Sequence, residues 1–131
     1  MLAPEQISQF FHRSYKSVDG LWFMKVEEMY GFDAALRIDR EVWRIMPKIQ
    51  ARFLKSAGGL KEGIDSLFEC LTTKLKLEDF EFSHERTAEC FSIVIRTCPW
   101  HDLRVKSKRE NISGEVGDAI CEAEYSVWAG E

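Results

Sequence analysis

The stretch Phe91-Ser92-Ile93-Val94-Ile95-Arg96-Thr97-Cys98-Pro99-Trp100-His101 decides the reading of this chain. Apolar residues alternate through its first seven positions, the two-residue period of a β-strand. Proline then follows a potential capping residue, which is how a helix begins, because the first helical turn needs no N–H from proline. Working outward, Phe80 and Phe82 alternate with Asp79 and Glu81, and the charged run from Ser83 to Arg86 reads as a turn. Residues 80–97 are therefore expected to form a β-hairpin whose two faces are both at least partly covered.

Everything before the hairpin follows a helical period. Ile7, Phe10, Phe11 and Tyr15 share a stripe over Gln6 to Ser17. Val18, Asp19 and Gly20 interrupt it, with Asp19 as N-cap of a second helix that carries Leu21, Trp22, Val26 and Met29 and stops at Gly31. Asp33 opens a longer helix that reaches Gly58 and Gly59 and is kinked or split by Pro47. A fourth helix is expected from about Leu60 to Lys74, although Gly63 and two threonines oppose it. After the hairpin, helices are expected over Pro99 to about Lys108 and Ser113 to Trp128. The last has a core stripe of Val116, Ile120, Ala123 and Val127, and Cys121, Glu124 and Trp128 lie on the neighbouring stripe. The sum is one α+β domain over residues 1–131: mostly helical, with N-terminal helices on a small antiparallel sheet and two C-terminal helices.

Whole-chain properties bound the function. The 131 residues are 45% hydrophobic and 31% charged with a formal charge of −4, a soluble composition that argues against a general nucleic-acid surface. The basic run Arg104, Lys106, Lys108, Arg109 lacks interleaved aromatics and suits a helix C-terminus instead. No apolar run has the ~20 residues of a membrane span, and no basic-then-apolar leader precedes the domain, so a cytoplasmic location is expected. Cys70, Cys90, Cys98 and Cys121 are too widely spaced for a secreted disulfide framework and read as reduced thiols.

Two constellations carry chemistry. Cys98 at the N-cap and His101 at the third helical position stand one turn apart, and Cys121 with Glu124 or Glu122 would complete a mixed set suited to zinc. The same Cys98, made more acidic by the helix terminus and paired with His101 or His84, would serve as a nucleophile. A short C-x-x-H pattern is more often a half-buried thiol beside a surface imidazole. The second constellation is Asp19, Trp22, Glu27, Glu28, Asp39, Lys48 and Arg52. Here Trp22 and Trp43 would wall an apolar cavity while Arg52 or Lys48 pairs a carboxylate. The alternative is tryptophans in the interhelical core and a solvated charged face.

The run Asp19, Gly20, Leu21, Trp22, Phe23, with Val26, Glu27, Glu28, Tyr30, Gly31, Phe32, Val42 and Trp43, resembles an uncharacterised prokaryotic protein family. Lys48 to Arg52, Cys98 to Trp100 and Tyr125 to Trp128 extend the resemblance over most of the chain. That family is related to the L-2-amino-thiazoline-4-carboxylic acid hydrolase family and distantly to 4-vinyl reductase-type ligand-binding domains. The resemblance implies a small-ligand- or metal-binding domain, or a hydrolase in which Cys98 or a metal-bound water attacks a cyclic C–N bond. Those relatives continue into strands bearing a glycine, aspartate and cysteine cluster, whereas Gly117, Asp118 and Cys121 fall in an expected helix, which implies a short or C-terminally incomplete version. A third expectation is a non-catalytic homodimer joined through a sheet edge or an amphipathic helix.

Overall fold

The computed structural model describes residues 1–131. The elements run α1 (Pro4–Tyr30), α2 (Phe32–Gly58), α3 (Ile64–Leu77), β1 (Glu81–Arg86), β2 (Phe91–Thr97), α4 (Pro99–Lys106), a single 3-10 turn (Glu110–Ile112) and α5 (Ser113–Gly130). The expected class, α+β and mostly helical with a two-stranded antiparallel sheet and C-terminal helices, is the one observed. The chain divides into two compact units, Met1–Asp39 and Arg40–Glu131, with the division inside α2.

In the first unit, Pro4 occupies the first turn of α1 and the Gln6 side chain accepts the Ala3 N–H at 2.8 Å. The helix does not break at Val18–Gly20 as its sequence suggests. It runs through Asp19 and Gly20 to Tyr30, so Asp19 is not a cap. A single mid-helix glycine costs only ~1 kcal/mol, too little to stop a run flanked by good helical sequence. Gly31, at φ +94°, ends it, a conformation that a side chain disfavours. Phe23 is the one buried residue of α1, and its ring meets Phe32 edge-on with centroids 6.0 Å apart.

In the second unit, Pro47 neither splits nor ends α2. It removes one main-chain hydrogen bond, and the loss is offset because Trp43, Pro47 and Ala51 are all buried along one stripe. Three helices close in the same way. Gly59, Asp79 and Lys108 adopt positive φ, and the next N–H returns to a carbonyl five residues back: Leu60 to Lys55, Phe80 to Leu75 and Arg109 to Arg104. Only the glycine among these was readable as a stop signal. The same geometry explains why α3 starts at Ile64 and not Leu60: residues 59–63 are spent on the cap, and Gly63 at φ +110° precedes the first turn. Thr72, expected to weaken α3, donates its hydroxyl to the Phe68 carbonyl at 2.8 Å.

The residues read as a turn, Ser83 to Arg86, are in β1, and the reversal falls at Thr87–Cys90, where Thr87 exchanges hydrogen bonds with Cys90. Charge alone misplaced it: an edge strand tolerates charged side chains. Phe82 pairs with Ile95 and His84 with Ile93. Only one face is covered. Phe91 and Ile93 pack against the cluster of Ala51, Cys70, Leu71 and Trp128, while Ser92 and Val94 are exposed.

Candidate functional site

The start of α4 is as expected: Cys98 is the N-cap residue and Pro99 stands in the first turn. Cys98 is half-buried, and His101 is exposed. The His101 Nδ1 lies 2.6 Å from the Ser113 hydroxyl at the beginning of α5, and Arg104 donates to the same oxygen at 3.4 Å. The imidazole thus ties α4 to α5. Cys121 is exposed as a residue, yet its thiol is pushed upward in pKa by burial, then by Glu124 and by Cys98. The two thiols are therefore within electrostatic reach of each other. No three His, Cys, Asp or Glu side chains are gathered as a metal-holding group.

Next to Cys121 lies a cluster that sequence reading did not single out. Lys74 of α3 is buried, with Nζ 2.7 Å from Oε2 of Glu124 in α5 and 3.2 Å from Oε1 of Glu78 one turn along α3. The ammonium also faces the rings of Phe80 and Tyr125, 5.3 and 5.5 Å to the centroids. Burial pulls the Lys74 pKa down, but Glu124 and Glu78 outweigh it and leave the ammonium more firmly protonated than usual. Glu78 has the opposite fate. Burial, set against Lys74 and reinforced by Glu124, pushes its carboxyl up to about 7. The Tyr125 phenol is raised, chiefly by burial. A signal was present in the sequence: Leu71, Lys74, Leu75 and Glu78 follow helical spacing, so two charged residues occupy positions on an apolar stripe.

The stripe on α5 is likewise rotated from the one expected. Val116 is buried as read, but Glu124 and Trp128 are buried, while Ile120, Ala123 and Val127 are only partly covered. The Lys74 partner accounts for this, since a buried ammonium requires a carboxylate beside it.

Beyond the ion cluster, toward the other end of α3 and α5, opens a recess of about 350 Å3. Ala51, Lys55, Leu67, Cys70 and Trp128 are among its lining residues. Trp128 is 2% exposed and its indole N–H has no acceptor. Lys55 Nζ reaches Oε1 of Glu62 and the Glu131 carbonyl, the latter at 2.7 Å. Burial raises the Cys70 thiol, with Lys55 opposing.

The other residues expected to bind ligand are occupied elsewhere. Arg52 makes a two-pronged contact with Glu131, Nε to Oε2 at 3.0 Å and Nη2 to Oε1 at 3.2 Å. Trp43 is buried in the second unit with its ring edge-on to Trp100, centroids 6.1 Å apart. Trp22 is half-buried on α1 in the first unit.

Residues 5–130 match a family of unknown function, DUF6125. The chain belongs to this family. No curated protein and no solved structure matches it. What is shown is membership of an uncharacterised family, and kinship with the thiazoline hydrolases or the vinyl reductases is not part of the match. No helix is long and apolar enough to cross a membrane.

Proposed function

We propose that this DUF6125 member is a small-ligand-binding domain whose ligand occupies the recess at the Trp128 end of α3 and α5. The observation that carries the proposal is the Trp128 indole N–H, buried without an acceptor beside a recess of about 350 Å3. A buried unpaired donor costs ~1–3 kcal/mol, and an acceptor on a ligand that reaches it recovers much of that cost. The volume is that of a small metabolite, with apolar walls from Leu67, Ala51 and Trp128 and a polar rim that includes Lys55, Lys61, Glu62 and Glu131. Lys55 supplies a cation. Its partner Glu62 has a side chain 83% exposed, so exchanging that solvated pair for a ligand carboxylate costs little. The ligand class is a compact apolar acid or amide.

The test is titration of the purified protein with a panel of small carboxylates and amides, followed by tryptophan fluorescence and calorimetry. Saturable binding is expected, weakened about tenfold or more by Trp128→Phe and less by Lys55→Gln. A panel without any saturating member, or binding indifferent to both substitutions, would sink the reading.

A second reading keeps chemistry at α4. The influence of Cys98 on the Cys121 thiol supports a thiol pair there, with His101 as a third ligand for zinc or as the base for a Cys98 nucleophile acting on a cyclic C–N bond. It ranks second because His101 is engaged with Ser113. Near-stoichiometric zinc in untagged protein, lost in Cys121→Ser, would favour it. Metal-free protein whose melting ignores added zinc would remove the metal version.

A further inference from the structure

We propose that α1 of the first unit is the dimer interface of this protein, paired antiparallel with α1 of a second copy. The helix has 27 residues and buries one side chain, Phe23. Ile7, Phe10, Phe11, Val18, Leu21 and Met29 are 45–71% exposed. Solvent-facing apolar side chains in such number on one helix mark an interaction surface. Together they expose roughly 700 Å2, close to the ~800 Å2 that each partner contributes to a standard protein interface.

The occupant is read from the pattern along the stripe. Ile7, Phe11, Ser14, Val18, Leu21, Lys25 and Glu28 follow alternating steps of four and three, the spacing of a two-helix seam. A parallel in-register pair would set Lys25 against Lys25 and Glu28 against Glu28 inside that seam, like charges face to face. The antiparallel pair avoids this. Phe11 then meets Leu21 of the second copy, and the small Ser14 meets Val18. Ile7 lies along the aliphatic stem of Lys25, whose ammonium already bonds Glu28 at 3.1 Å. In this register no charge of the seam faces a like charge, and a self-complementary strip closes into a two-fold dimer, the commonest symmetric assembly.

The experiment is sedimentation of the full chain over a wide concentration range. The expected result is a dimer, with Phe11→Glu and Leu21→Lys each weakening it about a hundredfold or more while the tryptophan environment of the second unit is unchanged. Mixing the two variants should restore dimer, because only the antiparallel register places the new glutamate against the new lysine. A monomeric wild type, a dimer insensitive to both substitutions, or a mixture that stays monomeric would each overturn the proposal.

Discussion

The first unit and the second use helices in opposite ways. Over its 27 residues α1 buries one side chain, whereas α3, with 14 residues, buries five: Cys70, Leu71, Thr72, Lys74 and Leu75. The longer helix is α1, but burial is better in α3. The contrast shows that helical pattern sets which face is apolar, while stability comes from what that face meets. In the second unit α3 and α5 meet along one seam, apolar at the Trp128 end and ionic at the Lys74 end. In the first, Ile7, Phe10, Phe11, Val18, Leu21 and Met29 of α1 stay 45–71% exposed.

The largest effect should come from the apolar end of that seam. Trp128→Ala removes a side chain 2% exposed and is expected to cost about 3–5 kcal/mol of stability, measured by denaturant unfolding. Loss of less than ~1 kcal/mol would mean that the seam is not the core. Next is Lys74→Met, which leaves Glu124 buried without its cation and should cost roughly 3 kcal/mol. Lys74→Met combined with Glu124→Leu should recover much of that, since a buried ion pair is often replaceable by apolar residues but not divisible.

A smaller effect is set by pH. Glu78 is pushed up to about 7 from an ordinary carboxyl value near 4.5, so between these limits the folded chain holds a proton that the unfolded chain has released. Stability should therefore fall as pH rises through this window, by on the order of 3 kcal/mol, and should be fully recovered below it. The difference between wild type and Glu78→Gln across pH 5–8 isolates this contribution, and parallel profiles would refute it. The groups facing Glu78 are Lys74, Glu124 and Gln50. Smallest of all is Gly20→Ala in α1, expected to add up to about 1 kcal/mol to the helix and raise helicity by circular dichroism without altering the second-unit tryptophans. A destabilised variant would show that Gly20 serves packing after all.

Some of this was legible in the sequence because it is local. The strand-to-helix junction at Cys98–Pro99 was readable from residue types alone, since proline at a first helical turn and alternating Phe91, Ile93 and Ile95 each fix short-range backbone geometry. The Gly31 and Gly59 stops were readable for the same reason. The end of β1 was not, because charged residues on a sheet edge look like a loop. Positive φ at Asp79 and Lys108 was not read either, because side chains seldom accept it and, although aspartate is enriched there, lysine carries no such signal.

Period and composition by themselves determined an α+β chain, mostly helical, with a two-stranded hairpin before its last two helices. Only the tertiary structure decided that Lys74, Glu78 and Glu124 share a buried cluster, that His101 bonds Ser113, and that Arg52 pairs with Glu131. Sequence spacing locates a residue on its own helix, but a charge is stable in the interior only beside its counter-charge. Here that partner comes from a helix some fifty residues away: Glu124 of α5 for Lys74 of α3.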